Sequence, residues 1–353
     1  MLIRLFEVAP QVFKIAFNSI RKMHNNWIGT HDGKFHCDEV FACYMLKKLP
    51  KFADHTIIRT RDSSILDKCD IIVDVGGVYD HTKKRYDHHQ RDFKETMRTL
   101  TGLEFDTKLS SAGLIYVHYG KQVIANMMGI ESENDPNVVK AYGRIYKSFV
   151  ESVDAIDNGI NQFDGTPRYK LASTLNSRVE HCNPAWNDPN PDQEKGFNRA
   201  KEIVGEEFEE RIKGFFNVWL PARNFVEEAI KNRKEVHESG KILALYRWLP
   251  WKEHFFELEK ELAFQEENIC LIVYPDNTSG KWRVQAIPIS DMSGFENRIK
   301  IPWGGLRDEE LEKQSGVPGA GFVHINGFIG GAKDKEAALK LAIAALEKAK
   351  ETN

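Results

Sequence analysis

From Trp27 onward, short apolar runs alternate with stretches of helical periodicity. "WIGT" predicts a strand that ends just before His31. Val40, Phe41, Tyr44, Leu46 and Leu49 then recur near i, i+3, i+4 spacing and stop at Pro50, which predicts a helix with Asp38 at its start. "HTIIRT" predicts a second strand, and in "CDIIVDVGG" the unbroken run Ile71, Ile72, Val73 is that of a strand buried on both faces. Strand, helix and strand in this order point to a parallel α/β sheet. Ligand sites in such sheets lie beyond the carboxyl ends of the strands, so His31 and Asp74 fall on one sheet edge although far apart in sequence.

Further along, "SSAGLIYVHYG" predicts a serine-capped helix ending at a glycine, and residues 144–156 carry a mixed apolar pattern into "VDAIDNG", a turn signal. After the loop "HCNPAWNDPNPDQ", the positions Phe197, Ala200, Val204, Phe208, Ile212, Phe215 and Trp219 predict a long amphipathic helix stopped by Pro221. A second helical stretch reaches about Val236. Strands at "ILALY", "ICLIVY", "WRVQAIP" and "GFVHI" follow, then an alanine-rich helix from Lys335, predicting a smaller α/β domain. The expected organisation is a tail at 1–24, a first domain at 25–220, a helical connector at 221–240 and a second domain at 241–353.

Composition narrows the function classes. The 353 residues are 41% hydrophobic and 29% charged, with room for two cores. Lys plus Arg number 49 against 52 Asp plus Glu, so the chain has no overall field for indiscriminate polyanion binding and any such site is local. The five cysteines, Cys37, Cys43, Cys69, Cys182 and Cys270, are scattered and never form Cys-x-x-Cys, which fits a reducing compartment. No apolar run reaches the roughly 18 residues of a membrane span, so no membrane partner is expected, and an intracellular, soluble protein is. Residues 1–24 interleave Arg4, Lys14, Arg21 and Lys22 with apolar positions, the pattern of an organelle presequence or of an amphipathic tail.

The candidate chemistry is crowded between positions 31 and 89: His31, Asp32, His36, Asp38, Asp74, Asp87, His88 and His89. Singly, a loop histidine or aspartate is solvated, and Asp38 reads as a helix cap. Asp74 abuts a buried strand and needs a partner to offset its desolvation. Together they are a mixed imidazole and carboxylate set, which suits borderline divalent cations such as manganese better than the all-oxygen sets of magnesium. Two cations about 3.5 to 4 Å apart need a bridging carboxylate and several further ligands, and this segment offers that number. Lys34 reads as a loop lysine or a phosphoryl contact. In the second domain, "NGFIGGAKDKEAALK" sets Gly330 and Gly331 before a helix, whose free N–H groups suit an anion. Arg298, Lys300 and Arg307, with Trp282 and Trp303, make either a solvated mixed face or a groove for single-stranded nucleic acid.

"VDVGG" followed by "YDHHQ" resembles the Asp-His-His (DHH) phosphoesterase superfamily, which includes RecJ-type exonucleases, oligoribonucleases and manganese-dependent pyrophosphatases. The longer strings "IGTHDGKFHCDEVFACYML", "SSAGLIYVHYG", "VESVDAIDNGI" and "FVHINGFIGG" resemble more narrowly the melanocyte-proliferating-gene-one exonuclease family, from about Trp27 to the C-terminus. That resemblance implies a parallel-sheet DHH-like catalytic domain and a smaller DHH-associated-type domain. It implies metal ligands His31, His36, Asp38, Asp74, His88 and Asp157, with Asp154 the rival for the last place. His36 stands where most of the superfamily has an aspartate. Asp74 would bridge the metals, His89 would reach the substrate phosphate or the bridging water, and Asp87 would orient an imidazole. His324 with Gly330 and Gly331 resembles the glycine-rich, histidine-containing motif of the associated domain, and Arg298 joins them as a substrate contact.

The implied activity is a 3′-to-5′ exoribonuclease with two divalent metal ions, Mn2+ preferred over Mg2+, acting on single-stranded RNA or short oligonucleotides. The implied locations are mitochondrion and nucleus, with cytoplasm left open, as is the oligomeric state. Two alternatives stand beside this reading. One is a phosphatase for pyrophosphate, an oligoribonucleotide or a cyclic dinucleotide; the other is an RNA-binding module without turnover, which His36 in place of aspartate favours.

Overall fold

The computed structural model describes residues 25–351 apart from 292, 294 and 295, so the presequence-like segment 1–24 lies outside the described residues. β1 (Trp27–Thr30), α1 (Cys37–Lys47), β2 (Thr56–Arg59), the short α2 (Ser63–Leu66) and β3 (Ile71–Val73) follow in turn. β1 lies between β2 and β3 and is parallel to both. A hairpin of β4 (Tyr79–Asp80) and β5 (Arg85–Tyr86) extends the sheet, with β5 parallel to β3, for a strand order β2-β1-β3-β5-β4. Two-residue strands leave no periodicity to detect, so the apolar pattern does not predict this hairpin. Its consequence is large. β5 delivers Asp87, His88 and His89 to the carboxyl edge where β1 delivers His31 and β3 delivers Asp74.

Helices complete the first unit: α3 (Met97–Thr101), α4 (Ser111–Met128), α5 (Pro136–Ile145), α6 (Glu151–Asp157), α7 (Leu175–Glu180) and α8 (Gln193–Gly214). A π-helical turn, Tyr146–Val150, joins α5 to α6. α4 does not end at Gly120, as the sequence suggests, but runs to Met128 and is capped by Gly129 at φ 66°. Gly120 serves packing: a Cβ there would lie 2.9 Å from the Tyr116 ring and 3.0 Å from Tyr142. Beneath α1, Phe41 meets Phe208 edge-on at 4.9 Å and Phe149 at 5.4 Å between ring centroids.

Pro221 likewise stops nothing. α8 passes through a second π turn, Phe215–Trp219, into α9 (Leu220–Lys231), and Pro221 lies just after that turn, where the backbone ladder has already left the i−4 pattern that a proline would interrupt. The chain divides into two compact units between Phe208 and Glu209, inside α8, whereas the sequence pattern sets the boundary at 220.

The second unit contains α9, α10 (Arg233–Val236), β6 (Ile242–Ala244), α11 (Lys252–Glu261), β7 (Leu271–Pro275), β8 (Trp282–Ala286), α12 (Asp308–Ser315), β9 (Ala320–Val323), β10 (Ile329–Ala332) and α13 (Lys335–Glu351). Its sheet has the order β6-β7-β8-β10-β9; only β6 and β7 run parallel, and the other pairs are antiparallel. The chain is α/β, as the alternation predicts. Gly330 and Gly331 are strand residues of β10, not a loop at a helix start. The reason is steric, since a Cβ on Gly331 would meet the Phe322 ring at 2.4 Å and one on Gly330 the Phe322 carbonyl oxygen at 3.0 Å. Among the described residues no helix is long and apolar enough to cross a membrane.

Candidate metal centre

His31 follows β1 directly and is buried; its Nδ1 faces the Asp32 carbonyl oxygen at 2.9 Å. Its Nε2 lies 3.1 Å from Glu39 Oε1 and 3.4 Å from Asp74 Oδ2. Asp74 leaves β3 in the left-handed region at φ 56°, and its N–H donates to the Tyr86 carbonyl oxygen, so the residue is pinned between β3 and β5. Its other carboxylate oxygen, Oδ1, lies 3.4 Å from His88 Nε2 and 3.5 Å from His89 Nδ1, and accepts the Ser111 hydroxyl at 3.2 Å.

Asp38 and Glu39 come from the first turn of α1 and are fully buried. The N-cap of α1 is His36, whose N–H donates to Glu39 Oε1 and Oε2 at 2.9 and 3.0 Å. Asp38 is thus not the helix cap, and neither of its oxygens has a hydrogen-bond partner. His88 Nε2 lies 3.0 Å from Asp157 Oδ2 but out of line for a hydrogen bond. Side chains that converge at contact distance without bonding one another are arranged as ligands around a shared centre are.

Three sets of ligand atoms meet here, each within 4.8 Å of one another: His31, His36, Glu39 and Asp74; Asp74, His88 and His89; and Asp38, His88 and Asp157. Asp74 and His88 each belong to two of them. Four carboxylates in a largely buried volume need positive charge to offset their desolvation and mutual repulsion. Without a cation, protons do this. Burial lowers the His31 pKa, but Asp74 and Glu39 outweigh it and push it up to about 10. Burial likewise opposes, and Asp157 and Asp74 overcome it, pushing His88 up to about 9. For Asp74 burial raises the pKa, yet His31 and His88 hold its carboxyl well below the usual range. Asp38 moves the other way, raised by burial first and then by Asp74 and Asp157. The donor set fits divalent cations, since imidazole and carboxylate ligands plus an orphaned buried carboxylate are what such ions satisfy.

Asp154, the sequence rival of Asp157, is absent from these sets; it is buried against Ser110 and Tyr146. Asp87 is buried and accepts from the N–H groups of Gly77 and His89 and from His89 Nδ1 at 2.8 Å, so it fixes the exposed His89 ring. Asp32 stands outside the cluster, paired with Arg61, and Lys34 pairs with Glu180 at 2.6 Å. In the second unit His324 is exposed, with its ring against Phe328. Arg298 does not stand free for a phosphate: its guanidinium donates to both oxygens of Glu259 at 2.7 Å and lies against Phe255 and Phe256.

The sequence reading misses Glu39, Ser111 and Arg61. Glu39 had a signal, a glutamate at the third helical position answering an N-cap residue. Ser111 and Arg61 had none, because only the fold brings them to Asp74 and to the rim. The cluster opens into a cleft of about 760 Å3 lined by His31, His36, Arg61, Asp74, Asp157 and Asn176, among others.

A family model described as "Uncharacterised protein family (UPF0160)", MYG1_exonuc, matches residues 27–346. The chain is 54% identical to "MYG1 protein C27H6.8" of Caenorhabditis elegans, over 91% of this chain and 95% of that protein. It is 49% identical to "MYG1 exonuclease" of Homo sapiens, over 90% and 85%, and 41% identical to "MYG1 protein YER156C" of Saccharomyces cerevisiae, over 92% and 98%. Among solved structures, RecJ in complex with Mn2+ from Thermus thermophilus is similar at 16% identity and a TM-score of 0.21, over 91% of this chain and 52% of that one. The chain therefore spans about half the length of that structure. By the extent of the family match and the identity of its relatives, the chain belongs to the MYG1 exonuclease family.

Proposed function

We propose that this chain is a metal-dependent phosphodiesterase of the DHH type, an exonuclease that shortens single-stranded RNA from its 3′ end and uses two divalent cations, Mn2+ in preference to Mg2+. The observation that carries the reading is Asp74, whose Oδ2 lies 3.4 Å from His31 and whose Oδ1 lies 3.4 Å from His88, between two imidazole and carboxylate sets. The name of the human relative supports an exonuclease, and the "YDHHQ" string supports the DHH type. In the same reading, residues 25–220 carry the chemistry, 221–240 connect, and 241–353 grip substrate with exposed His324. The family resemblance supports work in mitochondrion and nucleus.

His31, His36 and Asp74 would hold one cation, with Glu39 close enough to join them; Asp38, His88, Asp157 and Asp74 would hold the other. When bound, such a pair supplies an activated water near neutral pH and offsets charge on the entering and leaving oxygens. The protein's own contribution is position. Asp74, pinned by backbone on both sides, keeps the two sets at fixed separation. Asp87 only accepts, so His89 Nδ1 carries the proton and Nε2 is left for a phosphate oxygen or a water. Arg61, on the cleft wall and paired there with the exposed Asp32, would trade that partner for the scissile phosphate or its neighbour.

The test is hydrolysis of 5′-labelled single-stranded RNA, with pyrophosphate and a dinucleotide in parallel, in Mn2+, Mg2+ or EDTA, for wild type and Asp74→Ala. A metal-dependent ladder of shortened labelled products, absent in the variant, is the expected result. Turnover of pyrophosphate or dinucleotide alone would replace it with the small-substrate phosphatase. No turnover in either metal would leave the RNA-binding module.

A further inference from the structure

Asp154 is fully buried on α6, one turn before Asp157, and the candidate centre makes no direct use of it. Its Oδ1 accepts the Ser110 N–H at 3.0 Å and the Ser110 hydroxyl at 2.8 Å, and its Oδ2 accepts the Tyr146 hydroxyl at 2.9 Å. The nearby Gly113 N–H also favours its ionised form. Ser110 is the N-cap of α4, yet its own side chain makes no capping bond to that helix. Asp154 therefore does the capping from outside, taking the Ser110 N–H, which the start of α4 leaves without a helical acceptor. The approach is close enough to require a glycine, since a Cβ on Gly113 would lie 2.4 Å from Asp154 Oδ1.

Two neighbours of this cap belong to the centre. Ser111, the first residue of α4, donates its hydroxyl to Asp74 Oδ1 at 3.2 Å, and Asp157, at the end of α6, faces His88. Residues three apart on a helix share a face, so tying Asp154 to α4 sets Asp157 and Ser111 together. We propose that Asp154 is a positioning residue: as an external cap on α4 it fixes the Ser111 hydroxyl on Asp74 and the place of Asp157 opposite His88. This rests on the two-cation reading of the centre. It assigns Asp154 a task distinct from ligation, which the sequence alone left open to it.

The test measures Mn2+ binding by titration calorimetry and by electron paramagnetic resonance, in the absence of substrate. Wild type, Asp154→Asn, Asp154→Ala, Ser111→Ala and the double variant Asp154→Ala/Ser111→Ala are compared, each shown to be folded by circular dichroism. Loss of a partner that orients metal ligands typically costs about 10- to 100-fold in metal affinity. That loss is expected for Asp154→Ala, with a smaller one for Asp154→Asn, whose amide oxygen still accepts from Ser110. The double variant should lose less than the product of the two single losses. Wild-type affinity in folded Asp154→Ala and Ser111→Ala would overturn the proposal and leave the metal centre standing. Independent, multiplying losses would overturn the path through Ser111. Absence of Mn2+ binding by wild type would overturn the metal reading itself. Should Asp154→Ala not fold, Ser111→Ala, which removes only a hydroxyl, decides: an unchanged affinity there overturns the link to Asp74.

Discussion

His88 and Asp157 approach to 3.0 Å across the centre without hydrogen-bond alignment. Such a contact, in a pocket that also holds the orphaned Asp38 carboxylate, is poorly satisfied until a cation joins it. Mn2+ should therefore stabilise the fold. A ligand bound only by the native state adds about 2.7 kcal/mol at 100 times its Kd. Thermal unfolding followed with rising Mn2+, then with EDTA, should show an upward shift in Tm that the chelator reverses and that Asp157→Asn reduces. A Tm indifferent to Mn2+ would count against the centre.

Asp38 itself should show the opposite preference with and without metal. A fully buried carboxylate with no hydrogen bond costs folding energy that an amide avoids in part. Asp38→Asn is expected to raise metal-free stability by about 1–3 kcal/mol while lowering the Mn2+-induced shift. Urea titrations with EDTA and with Mn2+ give both numbers. A variant less stable than wild type in EDTA would show that Asp38 has a partner in the metal-free chain.

The metal-free pH dependence has a definite sign at Asp154. Burial pushes its pKa up to about 7, above the ordinary aspartate value, despite the hydrogen bonds from Ser110 and Tyr146. A group raised in the folded state favours folding below its unfolded pKa of about 3.9, and that contribution is lost as pH rises through the folded value. Stability in EDTA should fall between about pH 4 and 7, and Asp154→Asn should flatten this part of the profile. An unchanged slope in the variant would mean that the three hydrogen bonds to Asp154 keep it ionised throughout.

What could be read from the chain beforehand follows from the length of each signal. Ile71 to Val73 is a long enough apolar run to mark a buried strand, so His31 and Asp74 were legible as neighbours on one edge. The hairpin that carries His88 there was not, because Arg85 and Tyr86 are too short a strand to show a period. Asp154 and Asp157 lie three apart on one helix, and no pattern in sequence separates a capping carboxylate from one that faces His88. Gly120, Pro221 and Gly330 share a different cause. Each is a residue type that punctuates structure by default, and each is used here for packing or beside a π turn within a continuing helix.

Arg298 and Glu259 should matter to folding and not to RNA. Both side chains are largely buried and bonded through two parallel contacts. Removing one partner of such a pair leaves a buried charge unmatched, at about 3–5 kcal/mol. Glu259→Gln and Arg298→Met should both lower Tm markedly, and the folded fraction of each should bind a single-stranded RNA with wild-type affinity. An affinity lost in Arg298→Met and kept in Glu259→Gln would restore the guanidinium to a role in substrate contact.

The last prediction separates holding the cations from handling the phosphate. His31, Asp74 and His88 are buried within the cluster, whereas His89 stands at its rim with its side chain 63% exposed and its Nδ1 fixed by Asp87. Asp74→Ala should therefore abolish both Mn2+ binding and hydrolysis. His89→Ala should keep Mn2+ affinity within a few-fold of wild type while lowering kcat about 10²- to 10⁴-fold, the range for a positioned proton donor or acceptor. Asp87→Asn, which leaves the imidazole in place but changes which nitrogen carries the proton, should fall between wild type and His89→Ala in kcat. Calorimetry with Mn2+ and rates on the labelled RNA, taken together, read the two effects apart. If His89→Ala lost metal affinity as steeply as Asp74→Ala, His89 would be a ligand and the phosphate would have to be met by Arg61.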